Sequence, residues 1–540
     1  MVRMEKPLQA RAGMFTVQFF IVLLLVLFTQ IKTSFNFYDE GFADFDATRV
    51  MNGDVPYKDF WALYPPGQFY LLALVFKWFG EKLMVARIFD TLVRFAIVVG
   101  IYRLARQLCS WLLSLLATAV AGLWLAAIGF YSYAVFPALG LGLWGILSWL
   151  KYTNTGHRHW LVLSGFLLGL TALIRWDIGA YGAIGVLVGG YLHLLAQGWK
   201  PAGNSKKMPA FRILFAPWKG LAFIFGPLAG VAGLGYGILA ARSGWRNLYE
   251  QLFQFPMTVF HSMRWLPYPP LIPPDLPPPD DWLLFYLPLL VFGVAVGYLV
   301  YSWLRNFPKF YPEAFGTTCA TVFGAFLFNQ ALSRYDAIHV LPSTLLMLIV
   351  AVALVQRLAS HFKKTWARYG LYFVLILLTL PYFRLSIRSL ATTLESLPPW
   401  GCYSHLEKAS CVWIDPDQEQ AIEFIQAHTQ ANEPIFVGNQ RHDRIFVSDV
   451  GFYYLADRPS ATRYHELHPG VATTLPVQTE IAHELERKDV KWIVLVRIWD
   501  STEPNGSALS SGVYYLDDFL HSHYTPVVDF GIYQLCRKNS

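Results

Sequence analysis

Asp39 and Glu40 stand just beyond an apolar run, in the stretch FNFYDEGFADFDATRVMNGDVPYKDFWALYPPG from Phe35 to Gly67. Asp44, Asp46, Asp54 and Asp59 follow, against only two cations, Arg49 and Lys58. Asp39 sits among Phe35, Phe37, Tyr38, Phe42 and Phe45. A carboxylate in so apolar a setting has its pKa raised and is suited to act as a general base. A solvated acidic loop is the competing reading, and it fits Asp54 and Asp59 better than Asp39. Asp39, Glu40, Asp44 and Asp46 also offer oxygens to a divalent ion, although the interleaved apolar residues argue against one.

The cations that could serve such a base lie in apolar sequence. RIFDTLVR places Arg87, Asp90 and Arg94 on one helix face. An Arg at mid-membrane costs about 2.5–3.5 kcal/mol on insertion scales, so it faces the interior and has a partner. Asp90 is one possible partner; a lipid phosphate is another. IRWDIG carries Arg175 and Asp177, and ALSRYDAIHVLPS carries Arg334, Asp336 and His339, each at a turn between apolar runs. Arg suits phosphate because its fork donates two parallel hydrogen bonds, whereas an interfacial anchor needs only the charge. His261 and Arg264, in a proline-rich stretch, are further candidates. The chain holds no P-loop, dinucleotide fingerprint or His-Glu-x-x-His pattern, and its histidines have no metal-ligand spacing.

The elements that must position these groups are membrane helices. Of 540 residues 55% are hydrophobic and only 15% charged, with a mean hydropathy of +0.38, where a soluble chain is about 25% charged. About eleven spans are predicted near 14–34, 82–106, 111–129, 131–150, 160–175, 178–197, 216–241, 282–304, 314–332, 338–357 and 369–388. The first run is long for a signal peptide and lacks a small-residue cleavage site, so it reads as a retained span. QFYLLALVFKWFG (68–80) is too short to cross and reads as interfacial or re-entrant.

The net charge of +7 does not indicate nucleic acid, because the cations punctuate the spans. They gather at Arg3/Lys6/Arg11, Arg103/Arg106, Lys151/Arg158, Lys200/Lys206/Lys207/Arg212, Arg305/Lys309 and Lys363/Lys364/Arg368. Short cytoplasmic loops collect such residues. The N-terminus is therefore expected inside, with loops 35–81 and 242–281 outside. Residues 1–388 form the membrane part. Residues 389–540 are expected to form an extracytoplasmic α/β domain, with helices at DQEQAIEFIQAHTQ and LPVQTEIAHELERK and strands at PIFVG, RIFVS and KWIVLV. Cys402 and Cys411 bracket a short segment, CYSHLEKASC, on that oxidising side and are expected to pair. Cys109 and Cys319 read as packing residues.

An Asp-Glu pair after the first span, in a loop closing with DFWALYPPG, resembles the GT-C-type integral membrane glycosyltransferases. The branch it is most similar to contains the protein O-mannosyltransferases and the bacterial lipid A aminoarabinose transferases. The resemblance implies a polytopic α-helical GT-C fold in a bacterial inner membrane. It implies transfer of a sugar from a polyprenyl-phosphate donor to an envelope lipid, glycan or protein, with no cofactor implied. Asp39 matches the family's catalytic carboxylate, with Glu40 its neighbour. Arg334, Asp336 and His339 match an Arg-x-Asp-x-x-His-x-x-Pro pattern of some bacterial relatives. Arg87, Arg94, Arg175 and Arg334 are the phosphate candidates. A second acidic site residue has two candidates, Asp177 and Asp281. A transporter or flippase of lipid-linked sugar, and a non-catalytic envelope-binding protein, are the alternatives. The transporter would spread its charges through both membrane halves, whereas here they crowd one side.

Overall fold

A computed structural model describes residues 6–198, 210–273, 279–306, 312–396 and 401–539. Arg3, Lys200, Lys206, Lys207 and Lys309, counted above among the loop cations, and residues 274–278 of the proline-rich loop lie outside the described residues.

Helix α1 (Lys6–Phe28) leads to two short helices, α2 (Asp39–Met51) and α3 (Gly67–Phe79). Then come α4 (Leu83–Leu108), α5 (Trp111–Ala127), α6 (Val135–Thr155), α7 (His159–Ile174), α8 (Trp176–Gly198) and α9 (Ala210–Ser243). A bent segment follows: α10 (Trp245–Tyr249), two π turns (Glu250–Gln254 and Pro256–Phe260) and α11 (His261–Arg264). The bundle closes with α12 (Asp280–Asn306), α13 (Pro312–Leu327), the short α14 (Asn329–Ser333), α15 (Ala337–His361) and α16 (Thr365–Ser396). Helices α1, α4 to α9, α12, α13, α15 and α16 run through the apolar segments expected to span. Among the described residues, five helices are long and apolar enough to cross a membrane on length and composition alone. Helix α4 is long enough but carries Arg87, Asp90 and Arg94 on its buried side. Buried side chains from α4, α5, α6, α13 and α15 form the bundle core.

The segment between α1 and α4 is not an open loop. Asn36 Oδ1 accepts the backbone N–H groups of Tyr38 and Asp39 at 3.1 and 2.9 Å, which starts α2. Asp39 and Glu40 in its first turn suit the positive end of the helix dipole. Gly67 opens α3 where a Cβ would lie 2.4 Å from the Leu173 carbonyl oxygen, so the Tyr64–Gly67 turn sits flush against the end of α7. Gly67→Ala is expected to destabilise the protein by about 1–3 kcal/mol through overpacking, read as a lower melting temperature. An unchanged melting temperature would show that the turn can retreat.

After α16 the chain builds a mixed sheet flanked by α17 (Pro416–His428), α18 (Gly451–Ala456), α19 (Leu475–Arg487) and α20 (Tyr515–His523). Its strands are β1 (Phe436–Asn439), β2 (Trp492–Val496), β3 (Tyr524–Phe530) and β4 (Tyr533–Lys538), in the order β1-β2-β4-β3. β1 and β2 are parallel, and β4 is antiparallel to both its neighbours. The strand expected at RIFVS is instead irregular backbone, and the hairpin β3–β4 was not anticipated. Cys402 and Cys411 are disulfide-bonded, with Cα atoms 4.2 Å apart. Their loop directs Lys408 to Glu81 at 2.6 Å and Asp457 at 2.7 Å.

This C-terminal unit shares a hydrophobic core with α2 and α3. Phe42, Phe45 and Phe69 are buried in the same cluster as Val450, Phe452, Tyr453 and Tyr454. A Cβ on Gly41 would meet Gly451 N at 2.5 Å, and Gly451 N donates to the Phe37 carbonyl at 2.7 Å. The glycine of the Asp-Glu-Gly run is thus where α2 and α18 touch backbone to backbone.

Candidate active site

Three spaces lie at the end of the bundle that carries α2 and α3. The first is an apolar groove of about 660 Å³ between α3, α4, α6, α7 and α9, whose walls include Tyr70, Phe89, Leu141, Leu170 and Tyr236. The second, of about 240 Å³, is lined by Arg175, Trp176, Asp177, Gln330, Arg334 and His339. The third, of about 320 Å³, holds Asp39, Arg264, Arg334, Asp336 and His339. The second and third share Tyr64, Tyr133, Phe260, Arg334 and His339. The groove and the second space lie on either side of two turns: Pro66 and Gly67 line one and Tyr64 and Pro65 the other, and likewise Ile174 faces the groove while Arg175 and Trp176 face the polar side.

Asp39 projects into the third space from the first turn of α2. Asn36 Nδ2 donates to its Oδ2 at 3.2 Å. Burial raises the Asp39 pKa, while the Asn36 hydrogen bond and the charges of Arg264 and His339 pull it back toward the ionised form. Arg264 is nine-tenths buried. It donates Nη1 to the Phe446 carbonyl at 3.1 Å and lies over the Phe446 ring, 5.1 Å from its centroid. His339 is oriented by Asp336, whose Oδ1 accepts from the ring Nδ1 at 2.7 Å and from the His339 backbone at 3.0 Å. A carboxylate can only accept, so the Nδ1 of that bond carries a proton.

The other expected cations are committed elsewhere. Arg87 spends all five N–H groups: Nε and Nη2 on Glu40 at 2.7 and 2.8 Å, the rest on the carbonyls of Ile31, Thr33 and Ser34. Both members of the Arg87–Glu40 pair are fully buried, and neither lines the polar spaces. Glu40 is therefore a structural partner of α4 rather than a second site carboxylate, and Arg87 has no donor left for a phosphate. Arg94 is held likewise by Asp90 at 2.7 Å and by the carbonyls of Leu125, Ile128 and Phe130. Both correct the reading of these two as phosphate ligands. Arg175 lines the second space, but Asp177 engages its fork at 2.9 and 2.7 Å. Arg334 lines both polar spaces, and Glu503 engages its fork at 2.9 and 2.6 Å while Asp336 takes Nε at 3.1 Å. His261 is exposed and lines none of the three spaces. Asp281 is also exposed at the start of α12, so of the two candidates for a second acid only Asp177 lines a polar space.

The α2 acids diverge. Asp44 accepts from Ser132 Oγ at 2.8 Å, Asp46 meets His465 Nε2 at 2.6 Å, and Glu40 meets Arg87. They do not converge on a common ion, and among the described residues no group of three or more His, Cys, Asp or Glu side chains does.

Several lining residues escaped the sequence reading. Asn36 and Tyr64 lay inside the quoted stretch without an assigned role. Phe446, His468 and Trp499 come from the C-terminal unit, as does Glu503. Glu466 behind Tyr38 accepts from its hydroxyl at 2.9 Å, and burial, with Asp46 adding, lifts its pKa to about 8. His468 is held neutral, its pKa pushed down to about 3 by burial and by Arg264. Those from the C-terminal unit are 50 or more positions beyond the end of α16, and no local spacing connects them to Asp39.

No family profile matches the chain, and no curated protein sequence matches it. Solved structures do. ArnT from Cupriavidus metallidurans in the apo state aligns with a TM-score of 0.53 at 13% identity, covering 97% of this chain and 98% of that one. ArnT from the same organism bound to undecaprenyl phosphate aligns with a TM-score of 0.53 at 12% identity, covering 97% of each chain. The oligosaccharyltransferase of Archaeoglobus fulgidus tethered to an acceptor peptide aligns with a TM-score of 0.52 at 11% identity, over 95% of this chain and 72% of that one. At these identities the likeness is one of fold. The chain shares the many-helix fold of these structures, with a small C-terminal sheet unit.

Proposed function

We propose that the protein is an inverting glycosyltransferase. It takes a sugar from a polyprenyl-phosphate donor and places it on an envelope lipid, glycan or protein at the external face of the membrane. The observation that carries this reading is the order of the three spaces: an apolar groove, a neck lined by Arg175 and Arg334, then a chamber with Asp39 and Arg264. A prenyl tail, a phosphate and a sugar follow one another in the same order. ArnT, which shares the fold, has been captured with undecaprenyl phosphate.

In this reading Asp39 accepts the proton of an acceptor hydroxyl or amine. The freed lone pair attacks the anomeric carbon as the bond from that carbon to the phosphate oxygen breaks. The bonding electrons leave on the phosphate, and the configuration inverts. The developing phosphate charge needs cations already in place. Arg334 and Arg175 line the neck but already hold carboxylates, so the added cation is Arg264, which adjoins the neck from the chamber side and whose carbonyl accepts from Arg334 Nη1 at 2.9 Å. The donor's activation resides in its sugar–phosphate bond, so no nucleotide is needed outside the cell.

The test is incubation of the purified protein with a radiolabelled polyprenyl-phosphate sugar and a crude envelope fraction. Transfer of label is expected, and its absence across lipid, glycan and protein fractions would overturn the reading. Arg264→Ala is expected to lower kcat/KM by about 10²–10³-fold. Arg264→Lys should recover only part of that, because it keeps the charge but not the planar fork. Unchanged donor kinetics in Arg264→Ala would return the phosphate role to Arg334.

A further inference from the structure

We propose that the outer mouth of the Asp39 chamber is a saccharide-binding platform built on Trp499, and that the acceptor class is a glycan. The identity of the acceptor rests on the transfer reaction proposed above; binding of saccharide to the platform does not.

Trp499 is 57% exposed, an unusual state for the largest side chain in a folded unit. It is not loose. Its ring meets Phe37 edge-on at 6.1 Å between centroids and lies tilted against Phe446 at 6.4 Å. All three rings border the chamber that holds Asp39. The backbone beneath is fixed at both ends. Arg497 N donates to the Ile532 carbonyl at 2.8 Å, and Glu503 is clamped to Arg334 as described. An aromatic face held in place before the ligand arrives costs little ordering entropy on binding.

The next residue, Asp500, pairs with Arg444 and lies 3.8 Å from Arg441 Nη1. Arg441 is itself bonded through Nε and Nη2 to Asp443, at 2.7 Å each. These charges compensate one another, so the rim does not select an anionic ligand. It offers fixed donors and acceptors side by side, as ligand hydroxyls require, since each hydroxyl both donates and accepts. The segments at the mouth, 440–450 and 497–505, contain no strand edge on which an extended peptide could add its backbone. A pyranose has what this surface matches: a flat face of C–H groups for the indole and a rim of hydroxyls for the charged pairs.

Full-length protein in nanodiscs, with no donor present, would be titrated calorimetrically with manno-, cello- and chito-oligosaccharides, with a Ser/Thr-rich peptide and with phosphatidylglycerol vesicles. At least one oligosaccharide is expected to bind, with affinity reduced 10-fold or more in Trp499→Ala and less than 3-fold in Trp499→Phe. The ring is exposed, so neither variant should disturb folding, and the thermal melt checks this. The proposal is overturned if no oligosaccharide binds, if binding ignores Trp499→Ala, or if only the peptide or the vesicles depend on Trp499. Because no donor is present, failure of sugar transfer and failure of this platform are read in separate experiments.

Discussion

Asp39→Asn is expected to lower turnover by about 10²–10⁴-fold, the usual worth of a general base, in a protein that stays folded and still binds donor. The substitution keeps the volume of the side chain and keeps an oxygen for Asn36 Nδ2, now 3.2 Å away. What it removes is the capacity to take a proton. Burial places the Asp39 pKa above its ordinary value, with Arg264 and His339 opposing. The base must be ionised to act. Turnover in the wild type should therefore rise with pH through a point above the ordinary aspartate value and then level off. The Asp39→Asn protein should lack that limb. Steady-state rates across pH, on both proteins and at saturating donor, make the measurement. Near-normal turnover in Asp39→Asn, or a rising limb that persists in it, would remove Asp39 from the chemistry.

Much of the architecture follows from hydropathy alone. A run of apolar residues can satisfy its backbone in lipid only as a helix, and helices do run through the segments where the sequence places spans, five of them among the described residues being long and apolar enough to cross on length and composition. Asp39 was legible for a related reason: it is the first carboxylate beyond the first span, and apolar neighbours surround it. The adjacent Asp-Glu pair misleads, however. Successive residues on a helix point about 100° apart, so Asp39 faces the chamber while Glu40 faces α4. Spacing on α4 could not tell whether Arg87 and Arg94 serve a ligand or the fold, because a buried Arg needs partners either way. Their partners are backbone carbonyls of Ile31, Thr33 and Ser34 and of Leu125, Ile128 and Phe130, and a carbonyl leaves no mark in a sequence. Glu503 lies 169 residues from Arg334, and only the docking of the C-terminal unit brings them together. RIFVS alternates like a strand, yet its Phe446 is used to hold Arg264 through a carbonyl and a ring. The departure from local pattern falls where the site is built.

Glu40→Gln and Arg87→Met should act on the fold rather than on the reaction. The pair is fully buried, with two short charge-assisted bonds. Removing one partner of such a pair typically costs about 3–5 kcal/mol, because the remaining charge is left uncompensated in a medium that cannot solvate it. Arg87→Met carries a further loss, since three carbonyls in the turn after α1 lose their donor and that turn leads directly into α2. Each single variant is thus expected to show a markedly lower melting temperature and a smaller folded fraction, with near-normal turnover per folded molecule. The double variant Glu40→Met/Arg87→Met tests the cause. It leaves neither member of the pair behind uncompensated, so it should be more stable than Arg87→Met alone, although the orphaned carbonyls keep it below the wild type. Thermal unfolding in detergent, paired with activity normalised to folded protein, separates the two roles. A Glu40→Gln protein that melts like the wild type but has lost turnover would place Glu40 in the reaction beside Asp39. If the double variant proves no more stable than Arg87→Met, the carbonyl bonds, and not the ion pair, are what fix the turn that aims Asp39.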